Sequence, residues 1–167
     1  MVYDGNTNVV YKSSLICEGT VFTGNIESKL DIVVEGIVNG NVVCHDLVVR
    51  ETGNITGDIV ANSISLYSPL TGNLKIEKNV TIFENAEITG DITTESLICE
   101  GKVNGNIECS ELLQLKNNAV VKGDCASSRF MIDPSVVING NLTTKPKEKI
   151  VVQQEAPVLE TTKEENK

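Results

Sequence analysis

Tryptophan is absent from this chain of 167 residues, the aromatics together make up 4% of it, and histidine occurs once. A core without large rings must be filled with aliphatics. Of the residues, 40% are hydrophobic, mostly Val, Ile and Leu, and β-branched side chains favour strands. Positive charge is scarce as well. With 14 basic against 23 acidic residues the net charge is -9, the wrong sign for neutralising phosphates, which excludes nucleic acid as a partner. No apolar run approaches the length of a membrane-spanning helix. The opening "MVYDGNTNVVYKSS" lacks the basic-then-apolar order of a secretory signal, so a cytoplasmic protein is expected. Cys17, Cys44, Cys99, Cys109 and Cys125 share no CxxC spacing. Neither a disulfide framework nor a metal site is expected from them; they read as small, reduced, buried thiols.

What the sequence does contain is a repeat. "LICEGTVFTGNIES" begins at Leu15 and "LICEGKVNGNIECS" at Leu97. Gly followed by Asn or Asp recurs at Gly24, Gly40, Gly57, Gly72, Gly90, Gly105, Gly123 and Gly140, in steps of 16, 17, 15, 18, 15, 18 and 17. Two residues before each glycine stand Phe22, Val38, Ile55, Leu70, Ile88, Val103, Val121 and Ile138; two after stand Ile26, Val42, Ile59, Leu74, Ile92, Ile107, Cys125 and Leu142. A third column, about seven residues after the glycine, holds Leu30, Leu47, Ile64, Val80, Leu97, Leu112 and Phe130, with alternating partners such as Ile32, Val49, Leu66, Ile82 and Ile132. Alternation at period two is the signature of a strand. Four residues before most of the glycines the chain is small, as at Gly36, Gly53, Ser68, Ala86, Gly101 and Ala119. These positions read as one tight corner, and the eight glycines, which reach positive φ freely, as a second. Short strands joined by in-phase corners describe a coil of about eight turns, each strand stacked on the one below at about 4.8 Å. A hairpin array would need neither the small column nor the fixed apolar offset.

The G-[ND]-[IVL] units on this period, clearest in "EGIVNGNV", "AEITGDI" and "EGKVNGNI", resemble those of the bactofilins. The likeness covers about Leu15 to Leu142. It implies an all-β, single-domain, right-handed parallel β-helix, a solenoid of triangular section, that polymerises into cytoskeletal filaments without a nucleotide. It also implies a scaffold for client proteins at the inner face of the cell membrane, with an influence on cell shape. The organisation expected is an N-terminal tail over 1–14, the β-helix over 15–142, and a charged, Pro-containing disordered tail over 143–167. Family members often touch membrane through an apolar N-terminal tail, but "MVYDGNTN" has no basic cluster to meet anionic lipid, so membrane association is weakly supported.

The ends of such a coil carry an unpaired edge and an apolar cross-section, and no capping pattern stands at either one. Assembly of the chain with itself is therefore expected to bury Leu15, Ile16, Val21 and Phe22 at one end and Phe130, Ile132, Ile138 and Leu142 at the other. No cofactor and no catalytic residue is expected. Cys44, His45 and Asp46 are neighbours on a strand, whose side chains should alternate between faces and so fail to converge. The enzyme alternative is an oligomeric β-helix acyltransferase, but its six-residue apolar period does not fit steps of 15 to 18.

Overall fold

The computed structural model describes Val2–Tyr3, Val9–Val10 and residues 13–146. Every described element is a strand, and from Ser13 to Thr144 all strand pairs are parallel. Each turn of the coil has three faces. The first carries the strand before the Gly-Asn or Gly-Asp corner and forms an eight-stranded sheet from Val21–Thr23 to Val137–Asn139. The second follows the glycine, and the third is a four-residue strand such as Asp31–Val34 or Asp46–Val49. Longer strands such as Ile59–Leu66 and Ile92–Cys99 bend from the second face into the third, so these two faces make one folded 12-stranded sheet. The coil enters on the third face at Ser13–Ile16 and leaves from the second at Leu142–Thr144. Val2–Tyr3 and Val9–Val10 pair antiparallel with each other and with no strand of the coil. The expected C-terminal tail lies outside the described residues from 147 onward.

The first two apolar columns become vertical ladders. Phe22 pairs with Val38, Val38 with Ile55, and so on to Ile138; Ile26 pairs with Val42, and that ladder climbs to Leu142. The third column holds in five places and fails in two. Ile32, not Leu30, stacks beneath Leu47, and Leu113, not Leu112, lies between Leu97 and Phe130. Ile32 is therefore a rung of that column, and its alternating partner is Val34.

Corner length is the cause, and it also explains the uneven steps. Between the second and third faces the corner is one residue (His45, Asn62, Glu95, Ser128) or two (Lys29–Leu30, Glu77–Lys78, Ser110–Glu111). Where it takes two, the strand starts one residue later. Between the third and first faces the corner is a pair (Glu35–Gly36, Tyr67–Ser68, Glu100–Gly101) or a four-residue turn. In the longer form the fourth N–H donates to the first carbonyl, as from Gly53 to Arg50 (2.9 Å), Ala86 to Phe83 (2.9 Å) and Ala119 to Lys116 (3.1 Å). Steps of 18 occur where both corners are long and steps of 15 where both are short. The stacking register is thus preserved while the chain length per turn varies.

The interior is a single aliphatic column. Val34, Val49, Leu66, Val103, Leu115 and Val121 are each 0% exposed, and dense packing of this kind tolerates little change in volume. The glycine corner shows how closely turns approach. Gly90 has φ +148°, and a Cβ there would lie 2.1 Å from the carbonyl oxygen of Gly72 below it. Beside this ladder runs a second. The Oδ1 of each Asn or Asp accepts the backbone N–H of its equivalent one turn on, from Asn25 with Asn41 (3.0 Å) through Asp58 with Asn73 (2.9 Å) to Asp124 with Asn141 (3.1 Å). Asn and Asp serve equally because only the acceptor oxygen is used.

Candidate functional site

The aliphatic column has to stop somewhere, and the terminal turns are where it meets solvent. At the first turn Phe22 is 38% exposed, and Ile16 and Ile26 are half-buried against the core. At the last, Ile132 is 39% and Leu142 47% exposed, with Phe130 and Ile138 half-buried. These are the same ladder positions that are sealed in every inner turn: Phe130 stacks on Leu113, Ile132 on Leu115 and Leu142 on Cys125. Each terminal rung has a neighbour on one side only.

Six of the eight residues expected at the ends are placed this way. Leu15 and Val21 are not. Their register partners are Val33 and Ile37, which point away from the axis, so their high exposure belongs to the flanks of the coil and not to its cross-section. Ile26 takes a place in the N-terminal cross-section. It was legible as the first member of the column after the glycines, whereas Leu15 and Val21 were assigned by proximity in sequence.

A second cluster departs from expectation. Cys44 faces the interior, but His45 and Asp46 both project outward, because His45 forms the one-residue corner and a corner interrupts strand alternation. His45 Nδ1 lies 3.1 Å from Asp31 and 3.5 Å from Asp46, and the Asp46 N–H donates to Asp31 (3.2 Å). Asn62, at the next corner, donates to Asp46 (3.3 Å). The histidine thus separates carboxylates of successive turns, which would otherwise repel. The three side chains lie close enough to share a cation, but they sit on an open edge and are already satisfied by one another.

The thiols offer no nucleophile. Burial pushes Cys44, Cys99 and Cys109 up to about 12 and Cys125 up to about 11, with neighbouring acidic groups adding to the shift. Cys17 is the exception to the buried reading: it starts an exposed four-residue corner. All five are free, and the ladder Ile16, Val34, Val49, Leu66, Ile82, Cys99 puts Cys17 and Cys99 five turns apart, about 24 Å.

A family model described as "Bactofilin: Polymer-forming cytoskeletal" matches residues 14–98 and again 66–143. Two overlapping matches are what a repeat permits, since a window shifted by whole turns presents the same columns. No curated protein and no solved structure matches the chain.

Proposed function

Since this chain belongs to the bactofilin family, whose members are polymer-forming cytoskeletal proteins, we propose that it assembles end to end through the cross-sections of its terminal turns, without a nucleotide and without catalysing a reaction. The observation that supports this is the pair of open apolar ends. Phe22, Ile132 and Leu142 stay exposed at ladder positions that are sealed everywhere else, and the strands there have an unpaired edge. Removing such area from water is favourable by about 25 cal/mol per Å², and continued strand stacking would satisfy the edge at the same time.

The polymer is a scaffold for client proteins at the inner face of the cell envelope, with an effect on cell shape. That part of the reading rests on the family and on the uniform, repetitive flank of the coil, which displays the same geometry at every turn. The net charge of -9 opposes direct binding to anionic lipid, so recruitment to the envelope through a protein is favoured. Negative-stain microscopy of the purified chain, with no nucleotide added, is expected to show filaments. Short species that persist across salt and concentration would overturn the proposal.

A further inference from the structure

The second face forms the floor of a groove of about 1020 Å³ that runs along the coil axis, from Val43 in the turn of Gly40 to Lys145 and Pro146 at the last described residues. Its wall is the row of corner residues that includes His45, Glu77 and Glu95. Two observations say what lies in it. After Leu142–Thr144 the chain does not start another third face. The Lys145 N–H still donates to the Ser127 carbonyl (2.9 Å), but Lys145 Nζ donates to Glu108 in the turn of Gly105, so the chain is turned back along the groove toward the N-terminal end.

The second observation is complementarity in order. Going down the groove from Glu108 come Glu95 and Glu77, neither paired with a cation among the described residues, with Lys75 beside them on the floor, and then Val60 and Val43, 45% and 40% exposed. Going along the chain from Pro146 come Lys147, Glu148 and Lys149, and then Ile150, Val151 and Val152. Basic faces acidic, and apolar faces apolar. The lengths agree too: extended chain from Lys145 to Val152 spans about 23 Å, and the rise from the turn of Gly140 down to Val60 in the turn of Gly57 is about 24 Å.

We propose that residues 147–152 lie lengthwise in this groove, with Lys147 and Lys149 along the Glu108, Glu95 and Glu77 row and Ile150 to Val152 over Val60 and Val43. The segment crosses the strands instead of running beside them, so it forms no backbone ladder and is held by side chains alone. It closes the second face to other occupants and leaves the first face and both ends open, so it does not compete with end-to-end assembly.

The test uses the full chain carrying Cys17→Ser, so that no exposed native thiol interferes, with one new cysteine at Val152→Cys and a second at either Val60→Cys or Ile37→Cys. Ile37 is as exposed as Val60, at 42%, but lies on the first face. Under mild oxidation with copper phenanthroline, the Val60 pair is expected to form a bridge within one chain at a yield several-fold above the Ile37 pair. The bridge is read by non-reducing electrophoresis and peptide mass. Equal yields at the two positions would overturn the proposal, as would a Val60 bridge that forms only between chains.

Discussion

At the scale of single residues, the coil enforces its requirements most severely in the small corner positions. Ser68 occupies the place that Gly53 and Ala86 hold in adjacent turns, and its hydroxyl is buried without a hydrogen-bond partner. An unsatisfied buried hydroxyl costs about 1–3 kcal/mol, and alanine fits the same position one turn on. Ser68→Ala should therefore stabilise the protein by about 1 kcal/mol, seen as a higher midpoint in thermal denaturation followed by circular dichroism; a lower midpoint would show that the hydroxyl is satisfied. The buried thiols give a pH signature. Their folded values, about 11 to 12, lie above the ordinary value near 9. The unfolded chain then loses protons before the folded one does, and stability that is full below pH 9 must fall as pH rises toward 12. Melting temperatures measured from pH 8 to 10.5 should decline, and the slope should flatten in Cys99→Val. Equal slopes in the two proteins would contradict the buried-thiol explanation.

At the scale of the element, each corner is a ladder in which every member constrains the next. Along the outer corner Glu35 meets Arg50 at 3.7 Å, and the rings of Tyr67 and Phe83 stack with centroids 4.1 Å apart; unlike charges or like rings occupy successive turns there. The glycine ladder separates two effects that usually occur together. Gly24 and Gly90 both have positive φ, +135° and +148°, which strains any other residue by about 1–3 kcal/mol. At Gly24, in the first turn, a Cβ would meet only Phe22 at 3.7 Å, whereas at Gly90 it would strike the backbone of Gly72 at 2.1 Å. Gly24→Ala should cost about 1–3 kcal/mol and Gly90→Ala clearly more, because two turns must separate. Denaturant titration of both variants measures the difference, and equal losses would mean that the turns yield freely.

At the scale of the whole molecule, stability is distributed but the ends are distinct. Phe130 is the one aromatic in its column, and it has a turn on only one side. Burying a ring in a contact is worth about 2–3 kcal/mol, whereas an unpaired charge in the same place costs several. Phe130→Arg is expected to give a folded, short species: circular dichroism retains its β signal while sedimentation shows the polymer lost. If the ring instead plugs its own turn, the β signal falls as well, and undiminished filaments would rule the contact out.

The eight-fold coil, its two regular ladders and its small corners were legible in the sequence because each is a strict column, and a column in sequence is a stack in space. Leu30 and Leu112 were misplaced because an apolar residue in a corner looks like its neighbour one step on the strand; only hydrogen-bonded register distinguishes them. Leu15 and Val21 were misassigned to the end cross-section for a related reason, since side-chain direction alternates while distance along the chain does not. The sequence by itself determined the period, the residues fit to fill the axis and the family. Tertiary structure decided which face each side chain took, that His45 and Asp46 share an edge with Asp31, and that Lys145 turns back to Glu108, because these depend on how long each corner is and which turns it brings together.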